Sequence, residues 1–234
     1  MLEIKKINTF YNTLQVLREV SFNVGDSKIV ALLGRNGMGK TTTVHSIIGF
    51  NPPRNGSIKY DGQEIIGWPP FKISRLGIGL VPQGHRVFPS LTVEENLLLG
   101  FQGKRGSLDM VYTYFPRLQE RACNCGSNLS GGEQQMLSIA RVLLAKPKLI
   151  LMDEPSEGLA PQIIHTIGDI ILDLKRQGIS VLLVEQNITL AMRVSDYCYV
   201  MQNGRVVHDC ETEKFSSNYK LQDQLIGIAR LRKN

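Results

Sequence analysis

The 234-residue chain carries 27 Lys and Arg against 21 Asp and Glu, a formal net charge of +6, and is 42% hydrophobic. That is the length and composition of one globular domain with ample apolar material for a core. No run approaches the roughly 18 apolar residues needed to cross a bilayer, no basic–aromatic interleaving marks a nucleic-acid surface, and the four cysteines, Cys123, Cys125, Cys198 and Cys210, lack the second close pair or His cluster of a zinc site.

Met1-Leu-Glu-Ile-Lys5 reads as a strand, not as a basic segment before an apolar one, so the expectation is a cytosolic chain with reduced thiols and no secretory leader. Residues 1–33 hold short alternating runs such as Val20-Ser-Phe-Asn-Val24, closed by Gly25-Asp26, which predict an antiparallel β-subdomain. Lys28-Ile-Val-Ala-Leu-Leu33 is instead continuously apolar and predicts a buried parallel strand.

The next segment, Gly34-Arg-Asn-Gly-Met-Gly-Lys-Thr-Thr42, fits G-x-x-x-x-G-K-[ST] at Gly34, Gly39, Lys40 and Thr41, and Lys40 to Ile48 reads as a helix. Strand, Gly-rich loop and helix together make a phosphate-binding P-loop. The glycines let backbone amides turn toward phosphate oxygens, Lys40 reaches the terminal phosphates, Thr41 offers a hydroxyl to Mg²⁺, and the helix adds its positive end. The candidate cradle is therefore Gly34, Arg35, Asn36, Gly37, Met38, Gly39, Lys40, Thr41 and Thr42.

Asn51-Pro-Pro-Arg-Asn-Gly56 is a turn cluster, Ser57 to Gly62 a hairpin strand, and Trp68-Pro69-Pro70 a further break, with Trp68 read as a packing residue. Ile78-Gly-Leu-Val-Pro-Gln83 is strand-like. From about Leu91 to Ala145 the pattern turns helical, including Thr92 to Gly100 with a Thr92–Glu95 capping box and Leu108 to Tyr114. Asn128-Leu-Ser-Gly-Gly-Glu-Gln-Gln135 opens an apolar helical pattern; Ser130 with Glu133 is a capping box, and Ser130, Gly131 and Gly132 make a helix-start nest of amides.

Lys148-Leu-Ile-Leu-Met-Asp-Glu-Pro155 is an apolar strand ending in two carboxylates, costly beside a core unless they have a task. After a P-loop, that task is Asp153 in the Mg²⁺ shell and Glu154 polarising the attacking water. Asp153 or Ser156 also suits the N-cap of the following helix. Downstream, helical Gln162 to Lys175, strand Ile179 to Glu185, helix Ile188 to Val194 and strand Tyr197 to Met201 alternate, which predicts a largely parallel sheet covered by helices. Asn203-Gly204 is a hairpin turn into Arg205 to His208, and Arg230, Arg232 and Lys233 form a basic tail.

Leu129-Ser-Gly-Gly-Glu133, placed shortly before Asp153 and Glu154, resembles the signature motif of ATP-binding-cassette (ABC) ATPases. The resemblance covers the whole chain. It implies an α/β fold with a P-loop NTPase (RecA-like) core, an N-terminal antiparallel β-subdomain and an inserted helical lobe, the core being residues 1–90 and 146–234 and the lobe 91–145. It implies ATP and Mg²⁺ as cofactors and a dimer in which Ser130, Gly131, Gly132 and Glu133 face the partner's nucleotide. By the same resemblance Tyr11 stacks on adenine, unless it merely fills a sheet edge. Gln83 is the Q-loop glutamine touching Mg²⁺ or the lytic water, Ser156 to Pro161 is the D-loop along the dimer seam, and Gln186 stands where most members have His.

The combination of Ser-Gly-Gly-Glu-Gln-Gln-Met136, Asp-Glu-Pro-Ser-Glu-Gly-Leu-Ala-Pro161 and Val-Glu-Gln-Asn187 resembles the second ATPase subunit of importers for branched-chain and other hydrophobic amino acids, with urea and short-amide importers as near rivals. That implies an ATPase at the cytoplasmic face of the membrane, a heterodimer with the first ATPase subunit or else a homodimer, two permease subunits, and an indirect external solute-binding protein. A soluble ABC ATPase acting on DNA or ribosomes fits less well, because the chain has one ATPase copy and no heptad stretch.

Overall fold

A computed structural model describes residues 1–84, 86–99 and 107–227. Gly100, expected as the end of a helix, and the basic tail of Arg230, Arg232 and Lys233 lie outside the described residues.

The chain opens with a long hairpin, β1 (Leu2–Tyr11) and β2 (Leu14–Val24), followed by β3 (Ile29–Leu33) and α1 (Lys40–Ile48). Then come β4 (Asn55–Tyr60), β5 (Gln63–Glu64), α2 (Pro70–Arg75) and β6 (Ile78–Val81). Four helices follow: α3 (Val93–Leu98), α4 (Ser107–Tyr114), α5 (Pro116–Glu120) and α6 (Gly131–Leu143). The remainder alternates through β7 (Leu149–Asp153), α7 (Pro161–Arg176), β8 (Ser180–Glu185), α8 (Ile188–Val194), β9 (Tyr197–Gln202) and β10 (Arg205–Glu211), ending in α9 (Thr212–Ser217) and α10 (Tyr219–Ile226).

Two sheets form. The antiparallel sheet has the order β2-β1-β4-β5, and the second has the order β10-β9-β3-β8-β7-β6. In the second, β3, β8, β7, β6 and β9 run parallel and β10 pairs antiparallel at the edge. The parallel strands are covered on both faces, which is why they read as unbroken apolar runs. Along β8, Val181 and Leu183 enter the core shared with α6 and α7, while Leu182 and Val184 enter the core shared with the antiparallel sheet and α1.

Local chemistry accounts for the element starts. Thr92 and Ser130 each cap a helix through a reciprocal box with Glu95 and Glu133. Asn203 and Gly204 both take positive φ, 48° and 75°, as a tight hairpin turn between β9 and β10 requires. Pro70 and Pro116 each stand in the first turn of a short helix, so these prolines begin elements as well as break them. Trp68 packs against the core between the sheets, with Lys72 Nζ 3.6 Å from its ring centre.

Register decides where the site sits. Leu33 lies opposite Glu185, Asp153 opposite Val184, and Val81 opposite Met152. The C-terminal ends of β3, β8, β7 and β6 therefore share one edge, the edge at which parallel α/β sheets hold ligands.

Candidate functional site

The loop from β3 to α1 turns at this edge. Gly39 has φ 101°, and a Cβ there would meet Leu17 Cδ2 at 2.8 Å; a Cβ on Gly34 would meet the Met201 carbonyl oxygen at 2.8 Å. Both positions therefore need glycine, one for its conformation and one for close backbone approach. Val16, Asn36, Gly37, Gly39, Lys40, Thr41, Thr42, Gln83 and Glu154 line a cleft of about 360 Å³. The P-loop, the residue after β7 and the glutamine after β6 thus meet in one cavity.

Lys40 is nearly fully buried, and its Nζ donates to the Arg35 carbonyl at 3.0 Å and lies 2.9 Å from Glu154 Oε1. Thr41 Oγ1 donates to Asp153 Oδ1 at 3.2 Å. Asp153 is 2% exposed, and its carboxyl is pushed up to about 6, chiefly by burial. The Thr41 hydroxyl and Lys40 oppose that rise, while Glu154 and Glu157 add to it. Glu154 sits in the left-handed backbone region at φ 48°, uncommon for a residue with a side chain, and its amide donates to the Val184 carbonyl at 2.8 Å.

Gln83 Nε2 donates to Glu157 Oε2 at 2.8 Å. Glu157, four residues after β7 and given no role of its own in the D-loop expected from Ser156 to Pro161, puts a third carboxylate beside this edge. The donors here are hard oxygens from Thr41, Asp153 and Gln83, and burial leaves Asp153 short of compensating positive charge. That set fits Mg²⁺, which takes few protein ligands and completes its shell with phosphate oxygens and water.

Other predicted residues lie apart from the cleft. Tyr11, at the end of β1, is 45% exposed and does not line it, although Val16 of the same hairpin does. Gln186 is exposed just beyond β8, and its amide donates to Glu185 Oε2 at 3.1 Å. None of Ser130, Gly131, Gly132 and Glu133 lines it either. Burial raises the Glu133 carboxyl, but the Ser130 amide and hydroxyl and Arg121 outweigh it and leave it below its ordinary value. Gly132 packs beneath Ile163 of α7, where a Cβ would come within 3.0 Å of that side chain.

Cys198 and Cys210 are opposite one another on β9 and β10, with sulfurs 3.8 Å apart, and all four cysteines are free thiols.

Comparisons agree with this architecture. Residues 17–157 match the family model described as ABC transporter. The chain is similar to the high-affinity branched-chain amino acid transport ATP-binding protein BraG of Pseudomonas aeruginosa, with 45% identity over 97% of this chain and 100% of that one. It is 34% identical to the probable branched-chain amino acid transport ATP-binding protein LivF of Archaeoglobus fulgidus, over 97% and 99% of the two chains. Among solved structures it is similar to a nucleotide-free ATP-binding cassette from an ABC transporter, with a TM-score of 0.87, 25% identity and 96% of each chain covered.

Proposed function

Since the chain belongs to the ABC transporter family of ATP-binding, ATP-hydrolysing proteins, we propose that it is the motor subunit of an importer of branched-chain and other hydrophobic amino acids. The observation that carries the solute class is the 45% identity, over almost the whole chain, to a protein named for that transport.

The cleft supplies the chemistry. The P-loop amides and Lys40 hold the phosphates of ATP, and Tyr11 offers a ring face to the base. Thr41, Asp153 and Gln83 are the residues that would hold Mg²⁺, which when bound neutralises charge on the β- and γ-phosphates. Glu154 accepts the proton of the attacking water as general base, and Gln186 positions that water or the γ-phosphate through its amide. Ser130, Gly131, Gly132 and Glu133, away from their own chain's cleft, serve the nucleotide of a partner ATPase across a dimer, for which a heterodimer with the importer's other ATPase chain is favoured.

Among the described residues no helix is long and apolar enough to cross a membrane, so attachment to the cytoplasmic face would run through permease subunits. A groove of about 480 Å³ beside the Gln83 loop suits them, with exposed Phe50, Phe71 and Leu99 at its walls and Pro82 and Arg141 inside it. The reading is tested by affinity capture from detergent-solubilised membranes followed by uptake in proteoliposomes. Recovery of two multi-span proteins and ATP-dependent uptake of leucine, isoleucine or valine is expected. Capture of ribosomes or DNA, or uptake of urea in place of amino acids, would overturn it.

A further inference from the structure

The exits of β7 and β8 are stitched together by one buried carboxylate, that of Glu185. It is 2% exposed. Its Oε1 accepts the Ser156 amide at 3.0 Å, and its Oε2 accepts the amides of Gln186 at 3.1 Å and Asn187 at 3.0 Å. One residue earlier, the Val184 carbonyl accepts the Glu154 amide at 2.8 Å. Two consecutive residues of β8 therefore bind the backbone that follows β7, and the second also binds the backbone that carries Gln186.

A carboxylate withdrawn from water is expensive unless its lone pairs are met. Here three backbone N–H groups meet them, from two loops distant in sequence, one following Glu154 and the other carrying Gln186. A neutral side chain of similar size would fill the same space. What the carboxylate adds is the capacity to accept from both loops at once, because both its oxygens are acceptors.

We propose that Glu185 is a positioning residue for ATP hydrolysis, acting through Gln186 by fixing that residue's loop to the segment leaving Glu154. The proposal rests on the reading of this chain as an ATPase in which Gln186 orients water or phosphate. In Glu185→Gln one acceptor becomes an NH₂ group, which faces the amides of one loop donor to donor. Burial raises the Glu185 carboxyl, while the amide bonds of Asn187 and Ser156 oppose that rise.

The test uses the full chain, in its ATPase-competent assembly for turnover and alone for amide exchange. Glu185→Gln should lower kcat by on the order of tenfold with KM for ATP within about twofold, the pattern of an interaction made only at the transition state. Glu185→Asp, charged but too short to span both loops, should fall between parent and Glu185→Gln, and it carries the test if the glutamine variant does not fold. Hydrogen exchange should accelerate at Ser156, Gln186 and Asn187 in Glu185→Asp, and in Glu185→Gln at the loop that faces the new NH₂ group, while the interior of β8 keeps the parent's rate. Combined with Gln186→Ala, Glu185→Gln should add little further loss, because both act on one element.

Independent, multiplying losses would overturn the proposal, as would exchange unchanged at all three amides or accelerated uniformly through the whole chain. Normal turnover in Glu185→Gln beside slow turnover in Gln186→Ala would overturn the positioning role alone. Normal turnover in both would overturn the assignment of Gln186 and this proposal with it.

Discussion

Lys40 and Glu154 form an ion pair of 2.9 Å with both side chains nearly excluded from water, at 3% and 7% exposure. Lys40 opens α1 and Glu154 directly follows β7, and the two meet at the candidate cleft. In the proposed reading, a γ-phosphate entering that cleft would compete with Glu154 for the Lys40 ammonium, and a Glu154 freed from Lys40 would have its carboxylate available to water.

That competition predicts the behaviour of Glu154→Gln. ATP affinity should be equal to the parent's or higher, since a neutral amide holds Lys40 less strongly. Hydrolysis should fall by on the order of 10²- to 10⁴-fold, the size of a general-base effect. MgATP should then trap a closed dimer, with the partner ATPase present where homodimers are weak. Size-exclusion chromatography and calorimetric ATP titration check both parts; a variant that stays monomeric, or that binds ATP more weakly, contradicts the sandwich or the competition respectively.

Gln186 cannot titrate, whereas a histidine there would change charge near a pKa of about 6.5. Gln186→Ala should slow turnover with little change in ATP affinity. Gln186→His should be active and gain a pH dependence near neutrality absent from the parent. Steady-state ATPase activity of the assembled transporter, with the partner's own catalytic glutamate disabled, isolates this site. Unchanged turnover in Gln186→Ala removes the residue from the mechanism.

The exposure of Tyr11 leaves a ring face open at the end of β1. Tyr11→Phe should bind ATP nearly as well as the parent, and Tyr11→Ala should lose about 1–3 kcal/mol, the range for base–aromatic stacking. Competition between ATP and a fluorescent analogue measures this. Normal affinity in Tyr11→Ala would make Tyr11 a sheet-edge residue and nothing more.

Phe71 stands exposed at the wall of the apolar groove, away from the phosphate cleft. Phe71→Asp places a charge on a surface proposed to bury an apolar permease segment. Co-purification with permeases should be lost, while ATP binding by the chain alone stays at the parent's level. Retained co-purification would place the permease contact elsewhere.

Asp196 supports the opposite end of the sheet from the cleft. It accepts Lys175 Nζ at 2.6 Å and the Ile29 amide at 2.9 Å, with Lys28 Nζ at 3.7 Å. Burial alone would raise its pKa, but these partners outweigh it and hold the carboxyl below its ordinary 3.8. A depressed carboxylate contributes stability that is present above its unfolded value and lost as pH falls through the folded one. Asp196→Asn should cost about 1–2 kcal/mol near neutrality, the charged-hydrogen-bond range reduced for partial exposure. Urea unfolding should show that difference shrinking as the pH drops below about 4. A difference independent of pH would mean that the charge on Asp196 is not its source.

The sequence by itself determined whatever depends on near neighbours along the chain. Gly34, Gly39, Lys40 and Thr41 lie in one loop, Ser130 and Glu133 in one helical turn, and Asp153 and Glu154 at the end of one strand. Their spacing matches the period of the element that carries them, so their local geometry was readable, as were the continuous apolar runs of β3, β7 and β8. Only the tertiary structure decided which of these groups touch. The order β3-β8-β7-β6 brings Lys40 to Glu154 and Gln83 to Glu157. The alignment of strand ends sets Glu185 between Ser156 and Gln186. No periodicity announces such pairs, since a buried carboxylate's partners are fixed by which strands lie side by side, and that order follows from packing both faces of the sheet, not from any local pattern.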